Sequence, residues 1–442
     1  MPGAAFLPVA GPLGTVIGMA ISVVVMLMIG ANFSFMMRHR SGTGGVYSYT
    51  KGALGRNHAF FCAWFLALSY LAILFLNAAS LSTVLQTVFG SRLQIGYQYY
   101  HIGGKVIFMG EVGASIVALA CVGLLFINAK PLLQRLQTVL AIILLASVLI
   151  VALFCLPHIR SLTGAFGIQG NSRPFAVFSI VMLAPLSFFG FEVISLETVH
   201  FDFKVHRSRW IIVASILLSG MVYIALTLVS ACAAPDGYAS WQAYIADLGK
   251  LSGLQSVPTF FSAKAVMGDA GLWLIAIAAL AAILTGMIAA YRATTRMLST
   301  MAEDKILSGK FLKTNNSILV IMIVSILISI FGRNVLGCFL ELASFGAIVG
   351  FGYTSLSAWK LARKKGNKMI VTTGAVGTIC SAAFAVMNLI PKLTATAMMS
   401  AEAFVLLALW CLLGLMFYLR AVRRSGAAGS ANAGVRRDKN GD

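Results

Sequence analysis

The sequence predicts an all-α polytopic membrane protein, and three observations carry that prediction. Hydrophobic residues make up 59% of the 442 and charged residues only 10%, against about 25% charged in an ordinary soluble domain. Eleven stretches approach the ~20 apolar residues that a span requires. The basic residues, finally, sort onto alternate connections between those stretches.

In chain order the spans are expected at 12–36, 58–86, 106–128, 134–156, 175–198, 209–232, 270–297, 317–332, 336–360, 369–390 and 400–420. They fill the chain and leave no room for a soluble domain. The net charge of +20 raises the question of a nucleic-acid partner, and the placement of Lys and Arg answers it. Connections after the first, third, fifth, seventh and ninth spans, with the C-terminal tail, hold 25 of the 33 basic residues. This positive-inside pattern assigns 37–57, 129–133, 199–208, 298–316, 361–368 and the tail to the cytoplasm. "KLARKKGNK" and "RAVRRSG" are then topology signals, with contact to anionic lipid a secondary reading. No nucleic-acid partner is expected.

Eleven spans with a cytoplasmic C-terminus put Met1 outside, so a bundle with both ends inside needs one more helix upstream. "MPGAAFLPVAGPLG" reads as the end of such a helix, and no cleavable signal peptide is visible. Cys62, Cys121, Cys155, Cys232, Cys338, Cys380 and Cys411 lie in or beside spans without a C-x-x-C pair and read as small apolar packers. The histidines, among them His39, His58, His200 and His206, show no metal-ligand spacing, and no cofactor motif is readable.

The connection 41–55, "SGTGGVYSYTKGALG", is rich in Gly and aromatic residues. It is expected either to dip back toward a cavity, with Gly44, Gly45, Tyr47 and Tyr49 at an inner vestibule, or to be a surface linker. Within 233–269, "WQAYIADLGKLSG" reads as a short amphipathic helix at the membrane interface. Residues 421–442 are small, polar and basic, and a disordered tail is expected.

The chemistry concentrates in 175–198. Pro185 cannot donate a backbone hydrogen bond, and Ser187 and Gly190 follow within about one and a half turns. An unwound helix there would expose backbone groups suited to the carboxylate and ammonium of an amino acid. Phe188, Phe189 and Phe191 offer an apolar wall that also attracts an ammonium, or simply pack the bundle. A carboxylate at membrane depth is costly enough that Glu192 reads as a proton-coupling residue, with a structural hydrogen bond between helices as the alternative. Glu197, about 7.5 Å further along the axis, is expected in an inner vestibule or paired with Lys204 or Arg207. Glu111, Glu341 and Glu402 are expected near water on the outer side. Trp64 and Tyr70 lie six apart and so on different faces, which leaves one of them to packing.

Three stretches together resemble the amino acid-polyamine-organocation permease family: "SGTGGVYSYTKGALGRNHAFFCAWFLALSYL" (41–71), "SFFGFEVISLETVHF" (187–201) and "AAYRATTRMLSTMAEDKIL" (289–307), the last with Arg296, Ala302 and Asp304. The resemblance implies a five-plus-five inverted-repeat, LeuT-like transporter of twelve helices, eleven of them present. Residues 1–11 would be the remnant of helix 1, 12–156 helices 2–5, 175–360 helices 6–10 and 369–420 helices 11–12. The cytoplasmic half of helix 1, with its Gly-rich break, is absent from the sequence. The expectation is an upstream start or a truncated gene.

By position, the resemblance puts Ser187, Phe188, Phe189 and Gly190 on substrate and makes Glu192 the proton-coupling glutamate; Tyr70 is a further candidate contact, and Ser344, on a Gly-rich helix, either lines the pathway or simply packs closely. Thr285 would face the ion position of sodium-coupled relatives. Leu186 stands where some exchangers of cationic substrates carry Trp, and span 134–156 lacks the mid-helix Lys of some proton-coupled relatives. The expected activity is secondary transport of amino acids or related amines by alternating access, proton-coupled, sodium-coupled or exchanging, in the cell membrane. The alternative is a non-transporting homologue that acts as a membrane sensor or partner subunit. No enzymatic constellation is readable.

Overall fold

The computed structural model describes residues 2–40, 42, 44–90, 98–102, 105–159, 173–251, 253–332, 336–390 and 399–438. In order, the chain forms α1 (Pro2–His39), α2 (Val46–Leu54), α3 (Arg56–Phe89), β1 (Gln98–Ile102), β2 (Lys105–Phe108), α4 (Met109–Asn128), α5 (Lys130–Cys155), α6 (Arg173–Met182), α7 (Ala184–Ser187) and a 3-10 stretch, Phe191–His200. There follow α8 (Ser208–Ser230), α9 (Trp241–Ala246), α10 (Pro258–Glu303), α11 (Thr314–Ser329), α12 (Leu336–Lys365), α13 (Lys368–Leu389) and α14 (Ala401–Asp438). Among the described residues nine helices are long and apolar enough to cross a membrane. The two remaining sequence-predicted spans correspond to the shorter apolar helices α6 and α11.

Glycines break two of the long helices. Gly11 has φ 64° and ψ −177°, a conformation open to Gly and reinforced by Pro12, which disfavours helix at the residue before it. Residues 2–10 therefore form a separate helical stretch. Phe6 meets Tyr223 of α8 with ring centroids 5.8 Å apart, and Leu7 is buried with Trp241, Tyr244 and Ile245 of α9. This corrects the interfacial reading of "WQAYIADLGKLSG": its apolar face covers the first helical stretch instead. In α10, Gly268 (φ 65°) makes the second break.

One further expectation changes. The start of the predicted span at 106 is strand, with β1 and β2 antiparallel and Tyr100 opposite Ile107; aromatic and β-branched residues favour that pairing. The last helix is drawn from Ala401 to Asp438.

The bundle has two large cores. One joins α1, α2, α3, α12 and the broken segment 173–200, and the other joins α3, α4, α5, α10 and α11. In the first, α3 and α12 approach closely because Gly346 lets α12 sit against the Phe65 carbonyl. Ser69 Oγ then donates to the Ala343 carbonyl at 2.7 Å.

Candidate functional site

The helix that begins at Arg173 does not cross the bundle in one piece. α6 ends at Met182, α7 adds four residues, and a turn at Phe188–Gly190 leads into the 3-10 stretch. Pro185 withholds one donor, and Gly190 reverses the backbone at φ 123°. The last bonds before the break run from Ser187 N to Leu183 O (2.9 Å) and from Phe188 N to Ala184 O (3.1 Å).

Gly190 is exposed, and a Cβ built on it would meet no atom within 4 Å. Open space therefore lies in front of this backbone. Glu192 is fully buried beside it and accepts a hydrogen bond from the Gly190 N–H at 2.8 Å through Oε2. Its Oε1 and the Tyr70 hydroxyl face each other without forming a well-aligned hydrogen bond. Two buried polar groups thus lie side by side as each other's nearest polar partner, in a bent and imperfect pairing.

Aromatic rings surround these groups. Phe189 lies 5.1 Å from Tyr70 and 6.3 Å from Phe351. Phe191 stacks on Phe351 at 5.5 Å and 17°, and Phe33 meets both edge-on. Phe188 is buried and comes close to Gly220 of α8. Ser187 is partly exposed at the end of α7, which packs on α12. Sequence reasoning missed Phe33 and Phe351, because α1 and α12 carry no local signal that they converge here.

Other expected site residues lie apart from this centre or bond differently. Trp64 stacks on Trp410 at 4.5 Å and donates to its carbonyl at 2.9 Å, so of the α3 pair it is Tyr70 that faces the break. Ser344 is buried on α12 next to Ala343, the acceptor for Ser69. The Thr285 hydroxyl donates to Ala281 O and Ala282 O of its own helix at 2.8 and 3.0 Å. Glu197 pairs with Arg296, both contacts at 3.3 Å, not with Lys204 or Arg207. The partner comes from another helix, which spacing along one segment does not reveal. Glu111 is buried, contrary to the expectation of water access, whereas Glu341 accepts from Ser400 N and Oγ (2.7 and 2.9 Å) and so caps α14.

The 41–55 connection forms a second polar centre and is not a surface linker. Gly44 and Gly45 have φ 99° and 47°; side chains there would run into Thr300 and Ser195. They start α2, which buries Tyr47, Tyr49 and Thr50. Tyr47 Oη donates to Asp304 Oδ2, Lys51 Nζ reaches Oδ1 at 2.7 Å, and Arg56 donates to the Asp304 carbonyl at 2.5 Å. Tyr49 Oη sits beside Ser195 without a well-formed bond. Burial opposes the Asp304 charge, but the hydrogen bonds from Lys51 and Tyr47 and the charges of Lys51 and Arg56 outweigh it and hold the carboxyl below its ordinary range. Burial and the Asp304 carboxylate push the Tyr47 phenol up. At the Glu197–Arg296 pair a cavity of about 210 Å³ is lined by Lys130, Glu197, Arg292 and Arg296 among others.

A protein-family model described as "Amino acid permease" matches residues 2–417. The chain belongs to the amino acid permease family. No curated protein matches it significantly. The permease is thus a multi-pass membrane transporter of amino acids, and its interrupted helix, open Gly190 and buried carboxylate lie within the matched region. Among the described residues no group of three or more His, Cys, Asp or Glu side chains is placed to hold a metal ion.

Proposed function

We propose that the permease moves its amino acid by alternating access, with the substrate held at Ser187–Gly190 and flanked by Tyr70, and with Glu192 as the group that couples a proton to transport. The observation that carries this reading is the open space in front of Gly190, whose N–H is held by a buried carboxylate. A substrate carboxylate would compete for backbone N–H groups at the break, and its ammonium would meet aromatic faces. The lining of Phe188, Phe189, Phe191 and Phe351 favours a neutral, apolar side chain on the substrate. Sodium coupling through Thr285 has less support, since that hydroxyl bonds within its own helix.

The Tyr47–Asp304–Lys51 cluster acts in this reading as the inner gate, and the bundle 1–420 as one transport domain in the cell membrane. The distribution of basic residues supports a cytoplasmic C-terminus. The test is uptake into proteoliposomes of known internal pH. Saturable uptake of a neutral amino acid that varies with pH between about 5 and 8, and a Glu192→Gln variant that folds but loses the pH response, are the expected results. Rate and pH response unchanged in the variant would remove the coupling role; substrate binding without any uptake would make the chain a sensor.

A further inference from the structure

Away from the interrupted helix, a cleft of about 220 Å³ lies where the basic-loop ends of α1, α8 and α13 meet, lined by Ala31, Ser34, Arg38, Arg209, Asn367 and Ile370, with Met369 at its edge. Ser34 is 1% exposed, and its hydroxyl has no hydrogen-bond partner among the described residues. On the same helix Thr15 and Ser22 donate to the carbonyls of Gly11 and Gly18, four residues back, both at 2.7 Å. Ser34 makes no such bond and instead lines the cleft. A buried hydroxyl left unpaired is destabilising, and a partner from outside the chain accounts for it.

The other groups lining the cleft are suited to an anion. Arg38 uses Nε on the Ser34 carbonyl at 3.2 Å, which leaves its terminal nitrogens for a ligand, and the exposed Arg209 stands at the start of α8. Asn367 caps α13 through Oδ1, accepting from Ile370 N at 3.2 Å, and keeps its amide N–H groups for donation. The N-terminus of the 22-residue α13 adds partial positive charge. No carboxylate lines the cleft. Two guanidiniums, a hydroxyl, an amide and a helix N-terminus together match the oxygens of a phosphate.

What surrounds the cleft argues for the source of that phosphate. Trp210, adjacent to Arg209, is 66% exposed and Met369 61%, and in a membrane protein such residues at a helix end meet the lipid interface. We propose that this cleft holds the phosphodiester of an anionic phospholipid, with its acyl chains running along the exposed faces of α8 and α13. Basic clefts between transmembrane helices suit such headgroups.

The experiment is native mass spectrometry of the full-length protein in detergent with equal amounts of phosphatidylglycerol and phosphatidylcholine. Retention of phosphatidylglycerol should exceed that of phosphatidylcholine about thirtyfold, as two cations near a headgroup imply. Arg38→Gln with Arg209→Gln should abolish the preference, and Ser34→Ala should weaken it about threefold. Exposed Lys310→Gln with Lys313→Gln, an equal change in charge elsewhere, should leave it intact. Should the double arginine variant not purify as a monodisperse species, Arg209→Gln alone, at an exposed position, is compared instead and should lose about fivefold. Equal retention of the two lipids by the wild type overturns the proposal, as does a preference that survives the arginine changes. Displacement of the lipid by millimolar inorganic phosphate would assign the cleft to free phosphate and overturn it too.

Discussion

The permease has two polar centres that use the same materials to opposite ends. Around Gly190 the backbone is unwound, the space in front of it is open, and Glu192 and Tyr70 meet without a well-aligned bond. Around Asp304 the positive-φ glycines are in tight contact, and the carboxylate is bonded by Tyr47 and Lys51. Bonds left unmade in a dry interior are available to a ligand. The bonds that Asp304 accepts tie α2 to the end of α10, although Tyr49 beside them has no well-formed bond. The difference suits a centre that receives substrate and one that closes a path to it.

The comparison can be broken most severely at Gly190. A Gly190→Val change puts a β-branched residue at φ 123°, a conformation that costs about 1–3 kcal/mol, and fills the open space. Uptake should fall at least about a hundredfold, while size-exclusion behaviour stays that of the wild type. Gly55 also has positive φ (98°) with open space at its Cβ position. Gly55→Ala therefore serves as the control: similar strain with little loss of uptake.

Next in size is Tyr70→Phe. It removes the hydroxyl facing Glu192 but keeps the ring against Phe189, and uptake should fall about tenfold, or about 1.4 kcal/mol, with unchanged stability. Unchanged uptake would remove Tyr70 from the site and leave it as packing.

Asp304→Asn tests the other centre. Tyr47 and Lys51 lose a charged acceptor, and the partly exposed cluster should weaken by about 1 kcal/mol, read as faster modification of a cysteine that replaces the half-buried Ser48 of α2. The pH behaviour separates the two centres. Because the Asp304 carboxyl is held below its ordinary range, its stabilisation is present above the unfolded value near ~3.9 and is lost only as pH falls through the lower folded value. The Asp304 carboxylate therefore stays charged between about pH 5 and 8, and the pH profile of uptake should keep its shape in Asp304→Asn. The smallest effect is expected from Glu197→Gln. Its pair with Arg296 is 23% and 40% exposed and should be worth less than about 1 kcal/mol, measured as a small shift in thermal unfolding.

Much of the interrupted helix is legible in the amino-acid sequence. Pro185, Ser187 and Gly190 within a few residues announce the break, since each weakens a helix by local chemistry alone. The two carboxylates beyond it stand out because charge is rare at membrane depth. The partners are not legible. Arg296 for Glu197, Phe351 for Phe191 and Lys51 for Asp304 lie far away in sequence, and no periodicity predicts which helix faces will meet. The buried state of Glu111 and the covering of residues 2–10 by α9 escape the sequence for the same reason, because hydropathy reports how much a segment avoids water and not what covers it.

Composition, apolar run length and the sorting of basic residues thus determined by themselves that the chain spans a membrane many times, and local backbone chemistry determined where one span must unwind. Tertiary structure alone decided what stands beside the unwound turn. It left Tyr70 and Glu192 facing without a bond, closed Asp304 with Lys51, Arg56 and the Tyr47 phenol, and left Ser34 at the bottom of a basic cleft. Each of these depends on side chains from different helices reaching one point, and packing in three dimensions sets that.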